Sequence, residues 1–222
     1  MIKPSMTTDE LWRAVTAERL ALADDLAALS EAQWQQPTLC RRWTVAEVVA
    51  HLTAGAVTTP FRWIRSVVAA GFDFARHNDA RLAEQLGGTP AETLAWFRAA
   101  ADRKGPRLGP PAEGTLGEVI IHAQDIRRPL GIPTTPPIET TTVLAVFLAR
   151  TDFTVPSRKT ITGLRLTATD GPFEAGAGPL VSGPTLALAL VMGGRPSYAD
   201  ELSGPGLDRL RAQCRAANKI TE

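Results

Sequence analysis

Cysteine, histidine and unbalanced charge are all scarce in this chain. Its two cysteines, Cys40 and Cys214, stand far apart and make no disulfide framework, so a cytoplasmic setting is the expectation. Lysine and arginine number 24 against 23 aspartates and glutamates, a formal net charge of +1. No basic field therefore directs the chain to nucleic acid or to an anionic membrane surface. No stretch approaches a membrane span without charge or Pro/Gly breaks, and the opening MIKPSMTTDELWRA lacks the apolar run of a signal peptide. What is present, 44% hydrophobic and 21% charged residues over 222 positions, suits a soluble globular protein with one sizeable domain, or a larger one and a smaller one. Oligomeric state leaves no readable mark.

Hydrophobic period and punctuation divide the chain. Residues 8–30 carry Leu11, Val15, Leu22, Leu26 and Leu29 at helical spacing, behind Thr7 or Thr8 as cap and with Asp9 and Glu10 in the first turn. Trp12 and Trp34 read as packing aromatics. Thr44 and Glu47 form a capping box, which starts a helix at Val45 with Val48, Val49 and Leu52 apolar. Gly55 and Thr59-Pro60 bend or break its continuation. A helical pattern resumes through Phe61, Ile64, Val67 and Val68, Gly71–Asn78 reads as a turn, and residues 79–86 as a short helix carrying Arg81. Thr89-Pro90 opens a further helix with Pro at its first position, KGPRLGPP is a loop, and 140–151 is helical again. From about Val155 the period changes: ITGLRLTATD alternates as a half-buried strand does, GPFEAGAG is a hairpin-like return, Gly183-Pro184 opens a short apolar helix, and 205–217 is the last helix. The expected class is α+β, with a helical bundle over residues 1–152 and a small α/β domain over 153–222.

The chemistry concentrates in GTLGEVIIHAQDIRRPLG, residues 114–131. Glu118 and His122 are four apart, so on a helix they share one face, while Val119, Ile120, Ile121 and Ile126 bury that helix. A buried carboxylate–imidazole pair must be hydrogen-bonded or bound to a metal, and a metal needs at least a third ligand. His51 is the natural third group, inside the apolar helix that begins at Val45. Glu47, four residues before it, already has a task at the helix N-terminus and reads as a cap rather than a ligand. His77 lies among charged and polar neighbours and reads as a solvated loop histidine. His51, Glu118 and His122 thus make a His₂Glu set with room for water or substrate, the arrangement of a catalytic divalent site. Zinc is the first assignment, and iron, nickel and manganese also suit these donors. Asp125 reads equally as the acceptor of the second imidazole N–H of His122 or as a polar residue at the helix end. Cys40 is a rival nucleophile, although a lone cysteine is more often a small buried hydrophobe. With both histidines satisfied inside the core, the same pattern would be purely structural.

PTLCRRWTVAEVVAHL (37–52) and EVIIHAQDIRRPLGIP (118–133) resemble the two signature segments of the mycothiol-dependent maleylpyruvate isomerase family, within the DinB-like superfamily. The resemblance covers most of the chain. It implies a DinB-like four-helix bundle followed by a small C-terminal α/β domain, with a divalent metal on His51, Glu118 and His122, and it implies a functional role for Arg81, which spacing alone would make a surface helix residue. Mycothiol is the implied cofactor: a low-molecular-weight thiol would enter the open metal position as thiolate and attack a small electrophile, with Arg81 holding an anionic group of substrate or thiol. The expected activity is cis–trans isomerisation or thiol S-transfer. The alternative is a non-catalytic metal-binding regulatory or scaffold protein on the same bundle.

Overall fold

The structure is a computed structural model that describes residues 6–40, 42–71, 73–104, 111–152 and 155–221. The described residues divide into two compact units, one over 8–134 and one over 135–221 that also takes in 6–7.

The first unit is helical: α1 (Thr8–Ala27), α2 (Glu31–Trp34), α3 (Val45–Val57), α4 (Pro60–Ala69), α5 (Phe74–Ala83), α6 (Pro90–Ala99) and α7 (Ala112–Leu130). Helix α1 packs on α6 and α7, and α3 packs on the same two, closing a four-helix bundle. The core is the predicted apolar faces: Leu11, Val15, Leu22 and Leu26 of α1, Val48 and Val49 of α3, Phe97 of α6, and Leu116, Val119, Ile120 and Ile126 of α7 are all buried. Helices α4 and α5 pack on each other, and α5 also lies against α3.

Side-chain caps set the helix starts. The Thr44 hydroxyl accepts from the Glu47 N–H, and Glu47 Oε2 accepts from the Thr44 N–H at 2.7 Å, a complete capping box. Thr59 and Thr89 cap α4 and α6, each with Pro in the first turn. Gly55 leaves α3 unbroken, because a glycine costs a helix interior far less than a proline; the break comes at Thr58–Thr59. The turn expected over Gly71–Asn78 is a correction. Asp73 accepts from the Arg76 N–H and caps α5, which therefore begins at Phe74 and carries both His77 and Arg81. Helix α7 ends at Gly131, whose φ of 66° suits the left-handed cap that glycine adopts without a Cβ penalty.

The second unit holds α8 (Ile138–Arg150), α9 (Ser157–Thr160), β1 (Arg165–Ala168), β2 (Glu174–Gly176), β3 (Leu180–Gly183), α10 (Thr185–Met192), a 3₁₀ turn at Pro196–Glu201 and α11 (Leu207–Thr221). Strand order is β2-β1-β3, with β1 antiparallel to β2 and parallel to β3. Helix α10, TLALALVM, is apolar on every side and buried accordingly. Helix α8 packs on α10, α9 and β2, so it falls in this unit and the boundary expected at residue 152 is corrected to 134.

Candidate metal centre

Helices α3 and α7 bring His51, Glu118 and His122 together. One ligand atom from each lies within 4.8 Å of the other two. Glu118 Oε2 stands 3.6 Å from His51 Nε2 and 3.4 Å from His122 Nε2, and the two imidazole rings meet edge to face with centroids 5.1 Å apart. These separations are longer than the 2.7–3.2 Å of a good N–H···O bond. They match the ~3.4 Å between ligand atoms that each stand ~2.1 Å from a tetrahedral ion. The three residues are therefore placed where they could hold a divalent cation.

The cluster also has a partner on its outer side. Asp125 is fully buried and takes His122 Nδ1 at 2.9 Å, so the Nδ1–H donates to the carboxylate and Nε2 is left to face Glu118, as an N–H toward that carboxylate when no ion is bound and as a donor lone pair when one is. Burial by itself would raise the Glu118 carboxyl, but His122 and then His51 stabilise its anion more strongly, and the net effect holds it well below the usual carboxylate range. Of the two readings of Asp125, the geometry matches the imidazole acceptor. Asp125→Asn is accordingly expected to weaken metal affinity about 10–100-fold, read by competition with a coloured chelator.

The loop before α3 is tied to the same spot. The Leu39 N–H donates to the Asp125 carbonyl at 3.1 Å, and Trp43 lays its ring 4.6 Å from that of His51, centroid to centroid. The Trp43 indole N–H reaches Asp79 at 3.3 Å. The one signal for Trp43 in the sequence is its place just before the capping box, since a residue there is carried beside the first turns of α3.

Glu47, with its carboxylate turned back to Thr44, stays a cap. Cys40 is half-buried, and its sulfur forms a second close group with His122 and Asp125. The solvated placement of His77 is corrected: it is 3% exposed and its Nδ1 lies 2.9 Å from the Ser66 hydroxyl, because α5 turns it inward toward α4. Burial first, then the charges of Arg81 and His51, lower its pKa, against a raising contribution from Ser66. Arg81 sits in the last turn of α5, paired with Glu84 at 2.5 Å, and is not among the grouped ligands.

Comparison with known proteins bears on this unit directly. A family model described as the mycothiol maleylpyruvate isomerase N-terminal domain matches residues 15–127, which include all three grouped residues. No curated protein matches the chain. Among solved structures, the crystal structure of a mycothiol-dependent maleylpyruvate isomerase is similar with a TM-score of 0.64 at 17% identity, over 92% of this chain and 96% of that one. The crystal structure of a histidine-to-alanine mutant of such an isomerase has the same TM-score and coverage at 16% identity. At these identities the likeness is one of fold.

Proposed function

Because the chain belongs to the family of the mycothiol maleylpyruvate isomerase N-terminal domain, we propose that it is a metal-dependent enzyme that uses mycothiol, or a thiol like it, on a small electrophile. Cis–trans isomerisation of a small unsaturated acid is the first candidate reaction. The observation that carries the reading is the spacing of His51, Glu118 and His122 at ligand–ligand distance. A divalent ion on these three groups, zinc by first preference with iron, nickel or manganese also compatible, would supply the positive charge that favours thiolate over thiol near neutral pH.

The protein's own groups do the rest. Asp125 holds the proton on His122 Nδ1 and keeps Nε2 free to ligate. Glu118 stays anionic through the neutral range. Trp43 flanks His51 and limits the orientations its ring can take. Arg81 is assigned to an anionic group of substrate or thiol, which its planar fork can grip with two parallel bonds. Addition of the sulfur to an electrophilic alkene carbon forms a C–S bond and leaves a single bond free to rotate. Loss of the same thiol then restores the double bond in the other geometry, so an isomerase consumes no thiol and an S-transferase consumes one per turnover.

Initial-rate measurements on a cis-unsaturated acid, with mycothiol titrated into the metal-loaded protein, test this. Turnover is expected to be absent without thiol and saturable with it, and the thiol should raise the unfolding midpoint where its disulfide does not. A metal-loaded protein that shows neither response is the scaffold, not the enzyme.

A further inference from the structure

Helices α4 and α5 line an open recess of about 310 Å³ whose wall carries four arginines, Arg62, Arg65, Arg76 and Arg81, with the Ser66 hydroxyl and small alanines between them. Arg62 and Arg65 are three apart and share a face of α4; Arg76 stands in the first turn of α5 and Arg81 in its last. The chain as a whole is almost neutral, so this is a local concentration of one sign.

Charge does not balance within the recess. Glu84 reaches two of the arginines, Arg62 Nη2 at 2.7 Å and Arg81 Nη2 at 2.5 Å. One carboxylate shared between two guanidinium groups leaves most of their donors unused. Nε and Nη1 of Arg81 are buried and have no hydrogen-bond partner among the described residues. Arg65 and Arg76 are exposed, and among the described residues their guanidinium groups have no ion-pair partner either. Guanidinium groups repel one another in a common recess, and buried N–H groups without acceptors are costly. An occupant rich in anionic oxygen relieves both.

The size and form of the recess decide what kind of anion. Small-molecule sites begin near ~300 Å³, which admits a short organic acid or a phosphate group. The arginines line a single cavity instead of running along a stripe, which is not the footprint of a nucleic-acid surface. A monoanion would leave most of the excess charge standing, whereas two carboxylates, or one phosphate, offer the paired oxygens that guanidinium forks match. The geometry points to a small-dianion site between α4 and α5, taking a dicarboxylate or a phosphate group on Arg62, Arg65, Arg76 and Arg81. It shares Arg81 with the function proposed above and is otherwise independent of the metal centre, so its test reads binding and not turnover.

Isothermal titration of the full-length protein at fixed ionic strength, with succinate, inorganic phosphate and acetate as probes, checks this. At least one dianion is expected to bind saturably at a single site, and acetate at least ten-fold more weakly. Arg65→Gln combined with Arg76→Gln, both exposed and outside the ion pairs of the fold, should weaken dianion binding at least ten-fold while moving the unfolding midpoint by less than roughly 2 °C. Arg165→Gln, which removes an exposed arginine of the other unit paired with Glu174, should leave binding unchanged. Saturation by succinate assigns the site to organic acids and saturation by phosphate to phosphorylated ligands; either upholds the proposal. No saturable binding, equal affinity for acetate, or full affinity in the double variant overturns it.

Discussion

Substituting alanine for His51 or His122, or glutamine for Glu118, is expected to abolish stoichiometric metal binding and with it thiol-dependent turnover. Removing an outer partner of a ligating imidazole typically costs about 10–100-fold in metal affinity. Removing a ligand from a three-residue set should cost more, so metal content should fall below about a tenth of an equivalent and activity by more than ~100-fold. Elemental analysis after dialysis gives the first quantity and initial rates the second. Glu47→Gln is the matched control, because that carboxylate faces Thr44 and glutamine serves the same capping position. His51 is partly exposed and Glu118 more so, so these variants should fold. If the purified protein carries no divalent ion, and His51→Ala changes nothing, the centre is a structural cluster.

The largest effect on stability is expected just beyond His122 on the same helix. Arg127 is 1% exposed and holds Asp25 Oδ2 through Nε at 2.7 Å and Nη2 at 2.6 Å. Its charge also opposes the burial that raises the carboxyl of Glu18, itself 6% exposed. Arg127→Met keeps much of the side-chain bulk but leaves Asp25 and Glu18 without their cation. Breaking one side of a buried pair costs about 3–5 kcal/mol, which for a chain of this length lowers the unfolding midpoint by roughly 10 °C. The defect carries a pH signature. In the variant, Glu18 titrates still further above its usual value, so the folded state binds a proton that the unfolded state has lost, and stability falls as pH rises through that window. Thermal melts should therefore show a larger deficit at neutral pH than near pH 5, and adding Glu18→Gln should recover part of it. A variant that melts with the parent at both pH values would show that this network contributes little.

The bundle, and the meeting of His51 with Glu118 and His122, are legible in the sequence for identifiable reasons. Thr44 and Glu47 are a local signal, since both partners of the capping box lie within one turn and nothing distant can rearrange them. The Glu118–His122 pair rides on an uninterrupted apolar period, and the same period fixed which face of α7 is buried. His77 was misread because its neighbours in sequence are polar while its neighbour across the helix pair, Ser66, is eleven residues away. Strand β3 escaped notice because four residues between Gly178 and Pro184 carry too short an alternation, and its parallel pairing with β1 is a tertiary event. Helix α8 has the composition of a bundle helix; only its packing on α10 assigns it to the second unit. The arginine cavity was equally hidden, for it depends on α4 folding back along α5, and no spacing within either helix announces that. Arg81 alone stands out in the sequence, and through the resemblance only.

Asp125 is bonded at both of its acceptors, the carboxylate to the imidazole of His122 and the carbonyl to the N–H of Leu39. The helix that carries Glu118 and His122 is thereby tied through a single residue to the loop that leads into α3 and His51. Two imidazoles and one carboxylate so gathered would favour ions that accept short bonds to nitrogen. Calcium, which seeks six to eight oxygens at 2.3–2.6 Å, is accordingly expected to be a poor occupant.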